Sequence, residues 1–226
     1  MAPNFWQVKR KGFPFILSAN PGPYAKDKCY PIGIILRDVL NVCKNLHEAK
    51  MVMNSGLIQI DGITRRDVHF GVGIMDVVNI IPNDESYRLI PKDLNVLIPI
   101  KTKEKDVKLL KITSKVSIKG NKLQFGFHDG KSLISDNKQM NVGDVCLVKL
   151  PKIEITDHIK FDKGSTVLII QGENAGKIGK IIEIKNGMFS LPKRAVVEFE
   201  ERSVELPVDI VMPIGNDKPI LEVFNQ

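Results

Sequence analysis

Three sets of residues in this chain of 226 have types and spacings that could do chemistry. The first is Gly172-Glu-Asn-Ala-Gly176-Lys177, which hints at a phosphate loop. A nucleotide-binding loop of that kind needs four residues between its glycines and Ser or Thr after the lysine, whereas here there are three, then Ile178. The second is Cys43 and His47, one helical turn apart and compatible with a metal. Only Cys29 lies near them, there is no CxxC pair, and no fourth ligand is evident. The third is a group of cations, Arg37, Lys44, Lys50, Arg65 and Arg66, whose chemistry is the binding of phosphate oxygens. His47, His69, His128 and His158 form no readable nucleophile–base set with the scattered serines. Asp76 reads as a cap or as a salt bridge to Arg37. The expectation is a non-enzyme with no cofactor and no bound metal.

The elements that must position the cations lie within residues 31–81. An apolar, basic pattern predicts a helix over 33–44. Asn45, followed three residues later by Glu48, predicts an N-cap and capping box for a second helix over 47–54, and Gly56 supplies its left-handed stop. The period then changes, and 57–60, Asp61-Gly62 and 63–64 read as a tight hairpin ending at Arg65-Arg66. Asp61-Gly62 is read as turn geometry only. Each cation also has a plainer reading: Arg37 as a solvated residue or a partner of Asp38 or Asp76, and Arg65 and Arg66 as a hairpin end paired with Asp67.

Composition bounds the partner. The net charge is +7 with 43% hydrophobic and 26% charged residues, which fits two or three small soluble domains. Residues 1–81 carry +4, 82–160 carry +5 and 161–226 carry −2, so the first two thirds favour a polyanion. The sequence has no amphipathic basic helix with aromatic anchors, no membrane-length apolar run and no secretory pattern at its start, so neither membrane nor secretion is expected. Cys29, Cys43 and Cys146 cannot all pair within the chain and are expected to be free thiols in a reducing compartment.

Residues 1–30 are rich in Pro and Gly, with Trp6, Lys9, Arg10, Lys11, Phe13, Tyr24, Lys26 and Lys28 interleaved. They predict an extended arm that orders on RNA through phosphate contacts and base stacking. The alternative is that Trp6 and Phe13 pack on their own domain. Residues 82–160 read as all-β, with strands at 94–100, 108–118, 123–127 and 142–148 and turns at Gly120-Asn121 and Asp129-Gly130. Lys111, Lys115 and Lys119 are expected to face outward, and Lys101, Lys103, Lys105 and Lys108 to form a solvated, flexible loop. In 161–226 two strands flank a glycine-bearing turn from Gly172 to Gly179, with Lys177 and Lys180 at its edge.

Ser-Gly-Leu-Ile-Gln-Ile-Asp-Gly-Ile-Thr-Arg-Arg-Asp (55–67) resembles the core of the small alpha-L RNA-binding module. Phe70-Gly-Val-Gly-Ile-Met-Asp-Val-Val-Asn-Ile80 is similar, more narrowly, to the archaeal and eukaryotic small-subunit ribosomal protein number four, the e-type. Pro21-Gly-Pro-Tyr24 resembles that family's element before the module, the stretch from Lys163 to Ile184 a KOW motif within a small barrel of the Src-homology-three type, and Val211-Met-Pro-Ile-Gly-Asn-Asp-Lys-Pro-Ile220 the closing strand and turn. The chain departs from the family in lacking a basic His-Leu-Lys-Arg start and in carrying Phe15-Ile-Leu17 in place of Arg-Pro. The resemblance implies an α+β multidomain fold: an N-terminal arm (1–30), the alpha-L RNA-binding module (31–81), a central all-β domain (82–160) and a C-terminal KOW-type small β barrel (161–226). It implies a structural constituent of the small ribosomal subunit, cytoplasmic and within the ribosome, binding 16S-type rRNA and neighbouring small-subunit proteins, with no small-molecule substrate. The RNA-binding residues would be Trp6, Lys9, Arg10, Lys11, Tyr24, Lys26, Lys28, Arg37, Lys44, Lys50, Arg65, Arg66, Lys177 and Lys180. The family's range and the chain's compactness point to an archaeal source. Two other readings remain open here: a KOW-bearing transcription or translation factor that joins RNA transiently, and an RNA-modifying enzyme that uses the module as a handle. The acidic run 198–201 would face a basic neighbouring protein.

Overall fold

The computed structural model describes residues 2–3, 5–9, 12, 15–189, 191–199 and 202–225. The chain is mostly β with few helices and divides into two compact units, Met1–Ile90 with Val96–Lys108, and Pro91–Asn95 with Leu109–Gln226.

In the first unit β1 (Tyr30–Pro31) leads into a single α turn, α1 (Ile32–Ile34), which continues as a π turn over Ile35–Val39. The helix predicted to reach residue 44 therefore stops early. Asn41 adopts a left-handed φ of 53°, and the amides of Val42 and Cys43 return to the carbonyl of Leu36 at 2.9 and 3.1 Å. Ile32, Ile34, Ile35 and Leu36 are all buried, so the apolar run reflects burial on every side and not a long amphipathic stripe. Helix α2 (Leu46–Asn54) has the predicted N-cap, with Asn45 Oδ1 accepting the Glu48 amide at 2.8 Å, while the Glu48 carboxylate reaches one residue beyond the cap and accepts the Lys44 amide at 2.7 Å. At its other end Gly56, at φ 72°, allows the amides of Leu57 and Gly56 to bond back to Val52 and Met53.

Strands β2 (Ile58–Ile60) and β3 (Ile63–Thr64) form the predicted hairpin. Asp61 and Gly62 have φ of 52° and 74°, the two positive values that suit the twist of a tight hairpin. After β4 (Gly71–Val72), which pairs with β1, come β5 (Val77–Ile80), β6 (Glu85–Lys92) and β7 (Val96–Lys101). They extend the hairpin into a five-stranded sheet, ordered β3-β2-β5-β6-β7. The boundary predicted between residues 81 and 82 thus falls inside a continuous sheet, where Ile80 lies opposite Glu85. The strand predicted to start at 94 starts at Val96, because Leu94 and Asn95 take left-handed φ of 55° and 70°.

Behind this sheet sits a buried ionic cluster. Lys108, predicted to lie in a solvated loop, is fully buried; its Nζ donates to Asp61 Oδ2 at 2.6 Å and to Asp76 Oδ1. The Tyr24 hydroxyl donates to Asp76 Oδ1 at 2.6 Å, and the Gly73 amide to Asp76 Oδ2 at 2.9 Å. Arg88, also fully buried, donates to the carbonyls of Met75, Glu104 and Val107 and feels both carboxylates. Asp76 therefore pairs with Lys108 and not with Arg37, and Asp61 is an ion-pair partner as well as a turn residue.

In the second unit β8 (Val107–Ile118, of which Val107 and Lys108 belong to the first unit), β9 (Lys122–Phe127), β10 (Ser132–Ser135), β11 (Val145–Lys149) and β12 (Glu154–Ile159) form a sheet ordered β10-β9-β8-β11-β12. Its core is Leu110, Ile112, Phe125, Phe127, Met140, Cys146 and Val148. Of the lysines predicted to face solvent, one is buried and one is half-buried and engaged by the fold. Lys111 is buried and donates to the carbonyls of Val208, Asp209 and Val211, each at 2.8 Å, while Lys115 caps the carbonyls of Lys138 and Met140. A bulge between Ile112 and Ser114 breaks the simple alternation. The remaining strands, β13 (Thr166–Ile169), β14 (Ile178–Lys185), β15 (Arg194–Glu198), β16 (Ser203–Pro207) and β17 (Val211–Gly215), make an antiparallel sheet ordered β16-β15-β14-β13-β17. Val167, Ile169, Ile181, Val197 and Val211 fill its core.

Removing the shared cation should leave two carboxylates buried and undercompensated. Lys108→Met is expected to lower the unfolding free energy by about 3–5 kcal/mol in a denaturant titration, with part recovered when Asp76→Asn is added. Burial raises the Asp76 carboxyl to about 6, with Lys108 opposing and Asp61 adding to the shift. Between pH 3.8 and about 6 the folded chain holds a proton that the unfolded chain has released, so this group's contribution to stability falls as pH rises through that window. Urea midpoints compared at either end of the window should show this slope in the native chain and its loss in Asp76→Asn.

Candidate nucleic-acid interface

The π turn, the loop after it and the N-terminal segment of the first unit frame a cleft of about 410 Å³ lined by Lys9, Arg37 and Lys44 together with Gln7, Asp38 and Asn41. Three of the predicted cations thus meet at one place. Arg37 and Lys44 are put there by local features. The π turn over Ile35–Val39 brings Arg37, its side chain 14% exposed, to the cleft just where the buried run Ile32–Leu36 ends. Left-handed Asn41 reverses the chain so that Lys44 returns, exposed, just before the N-cap of α2. Arg37 binds the carboxylate of its neighbour through Nε, at 3.0 and 3.1 Å, and Nη2, at 2.7 Å. This is one of the two ion-pair partners foreseen for it. The pair holds the guanidinium plane at the cleft while the ammonium groups of Lys9 and Lys44 supply compact charges, a combination suited to adjacent phosphates.

The hairpin end is built differently. The Arg65 guanidinium lies 4.4 Å from the centre of the Phe70 ring and is half-buried, whereas Arg66 is exposed. Asp67, foreseen as their partner, instead accepts the Asn20 side-chain amide at 3.0 Å and the His69 backbone amide at 2.9 Å. Lys50 is exposed on α2, and Lys26 and Lys28 are exposed on a short 3-10 turn.

The N-terminal segment departs most from expectation. Trp6 is buried, its indole donates to Cys29 O at 2.9 Å, and its ring stacks on Tyr30 with centroids 5.8 Å apart. Phe5 meets the same Tyr30 ring edge-on, and the Tyr30 hydroxyl donates to Phe5 O at 2.6 Å. Leu17 packs against Gly33, and the Asn20 amide bonds to His69 O at 3.0 Å. In its described residues the arm is therefore part of the unit's own core, as the alternative reading of Trp6 had it. Burying Trp6 removes far more apolar area from water than stacking a single base would. Tyr24 is likewise committed, its hydroxyl to Asp76 and its ring against Gly73. Arg10, Lys11 and Phe13 lie outside the described residues, as do Glu200 and Glu201 of the acidic run.

The second unit carries the other two predicted cations. The glycine loop of 170–177 is pinned by Asn95, whose Oδ1 accepts the Gly172 amide at 2.6 Å, and by Arg202, which donates to Asn174 Oδ1 at 2.9 Å. Gly176 passes so close to the backbone of Pro91 that an added Cβ would lie 2.6 Å from its carbonyl oxygen. Lys177 is exposed, and Lys180 stands 4.0 Å from Asp217. Neither Asn95 nor Arg202 is legible as a loop anchor from sequence, since both act across long chain separations. Among the described residues no group of three or more His, Cys, Asp or Glu is placed to hold a metal ion, and no helix is long and apolar enough to cross a membrane. All three cysteines are buried and free.

A mostly β chain with a cation-lined cleft in one unit and a pinned glycine loop in the other has charge placed to meet a polyanion, and comparison with known proteins is more specific. The model of the ribosomal family S4e matches residues 83–155, and that of the KOW motif residues 163–198. The small ribosomal subunit protein eS4 of Pyrobaculum islandicum is 36% identical over 98% of this chain and 96% of its own length. That of Methanothermobacter thermautotrophicus is 36% identical over 98% and 93%. The crystal structure of 30S ribosomal protein S4e from Thermoplasma acidophilum aligns with a TM-score of 0.74 at 35% identity, covering 84% of this chain and 97% of that one. The chain belongs to the S4e family of ribosomal proteins, which is not an enzyme class.

Trp6→Ala tests the packing of the arm. Truncating a buried Trp should cost about 3–5 kcal/mol in denaturant unfolding, whereas a Trp held only by RNA would leave the stability of the isolated chain unchanged.

Proposed function

We propose that this chain is a structural constituent of the small ribosomal subunit that binds and organises its 16S-type rRNA within the ribosome, in contact with neighbouring small-subunit proteins. The observation that carries the reading is similarity over nearly the full length to proteins named small ribosomal subunit protein eS4. In this reading residues 31–81 act as an alpha-L RNA-binding module. The cleft holding Lys9, Arg37 and Lys44 receives consecutive phosphates, and Arg66 and the ring-backed Arg65 extend the contact. Binding is electrostatic and geometric: cations displace the counterions of the RNA, and the shape of the cleft selects a helix junction.

Two measurements test this. On a sucrose gradient the native protein should remain with small subunits at high salt; release at moderate salt would identify a transient factor instead. With the isolated rRNA, replacing Lys9, Arg37 and Lys44 by Ala should reduce the slope of log affinity against log salt by about 2–3, since each lost phosphate contact removes roughly 0.7–0.9. An unchanged slope would place the RNA elsewhere.

A further inference from the structure

The hairpin between β14 and β15 carries a feature that its sheet does not require. Its tip closes at Met188 and Leu191, where the Met188 amide donates to Leu191 O at 3.1 Å and the Leu191 amide to Met188 O at 2.7 Å. Gly187 permits this closure, because a Cβ there would lie 2.7 Å from Leu191 O. Phe189 stands at the apex with φ of 41°, a left-handed backbone that bulky residues avoid and that Asn or Gly would adopt freely. Its side chain is 117% exposed, beside Met188 at 74% and Leu191 at 55%. A tight turn thus holds three large apolar groups in water, at a position where an ordinary turn residue would be less strained and more soluble.

We infer that this tip is a docking knob for an apolar pocket on a neighbouring protein of the same subunit, an inference that rests on the ribosomal reading above. Chemistry favours protein over RNA as the occupant. No charged residue lies between Lys185 and Lys193. Lys185 and Arg194, at the base of the hairpin, both bind Glu205, at 2.7 and 3.5 Å, while Lys193 leans over the Phe161 ring at 5.9 Å. Residues 161–226 carry −2, so phosphates gain little there, and a partner with a basic rim around its pocket complements them. Two of the three apolar side chains are aliphatic, which stacking on a base does not call for. An aromatic anchor flanked by aliphatic groups on a rigid support is the form of a protein–protein hot spot.

The test uses intact small subunits that contain the chain. A photoreactive benzoylphenylalanine replaces Phe189, and in a parallel sample Arg66. Irradiation should join position 189 to one subunit protein, at a residue set among apolar side chains, while position 66 joins to rRNA. Subunits carrying Phe189→Asp should lose that same protein about tenfold more readily in a salt wash. Phe189→Gly, which relieves the backbone but removes the ring, should lose it equally while leaving the thermal stability of the isolated chain unchanged or raised. Crosslinks from 189 to rRNA alone, or no crosslink from 189 where 66 still reaches rRNA, would overturn the knob and leave the ribosomal reading standing. Absence of the chain from small subunits would overturn both.

Discussion

An ammonium group held wholly out of water dictates much of the first unit. Desolvating Lys108 is tolerable only with carboxylates in contact, and those come from two separate places: Asp61 in the hairpin turn and Asp76 immediately before β5. Both must arrive together. The Val77 amide donates to Asp61 Oδ1 at 3.1 Å and the Asp61 amide to Val77 O at 2.9 Å, so the turn and the start of β5 are also joined directly. A carboxylate at the first position of a tight hairpin turn is chemically apt, since Asp tolerates the left-handed backbone better than most residues. The remaining acceptor capacity of Asp76 is met by Tyr24, whose ring fits only because Gly73 has no Cβ: one built there would lie 2.5 Å from the ring. Lys108, far along the chain, thereby ties the turn of the hairpin that carries Arg65 and Arg66 to the start of β5.

The same logic sorts the cations of the chain. Lys108, Lys111, Lys115 and Arg88 are engaged by carboxylates and carbonyls inside the fold. They add to the formal +7, but Lys108, Lys111 and Arg88 are buried and offer little to a ligand. Lys9, Lys44, Lys50 and Arg66 do the opposite, standing exposed with their charge in solvent. A net charge counts both kinds equally. The polyanion-binding capacity of a basic protein is therefore set by which cations its own backbone leaves to the surface.

Local signals were legible in the sequence and long-range ones were not. The cap at Asn45, the stop at Gly56 and the turn at Asp61-Gly62 all appear where residue chemistry puts them, because each is decided within four or five residues. The early end of the first helix was hidden, since an all-round buried apolar run and an amphipathic stripe have the same composition over so short a stretch. Lys108 and Lys111 were misjudged for a related reason. Lysine's ordinary preference for water was overridden by partners 47 residues away in one case and about 100 in the other, which no periodicity reports. The candidate interface shows the same division: Arg37 and Lys44 followed from local pattern, whereas the joining of Lys9 to them, and the pinning of the glycine loop by Asn95 and Arg202, depend on tertiary folding.

Trp6 shows how one large side chain settles the use of an entire segment. A stretch interrupted by Pro and Gly makes few internal hydrogen bonds, so it takes its order from whatever surface it covers. With its indole donating to Cys29 and its ring on Tyr30, residues 5–8 are held by their own unit before any RNA is present. Lys9 then reaches the cleft from a chain already in place. Preordering lowers the entropy that a segment loses on binding, and it turns an arm read as ordering on RNA into one wall of a cleft. Family membership does not decide between these two designs. The position of a single buried aromatic does, and it makes the cleft a property of the folded chain alone.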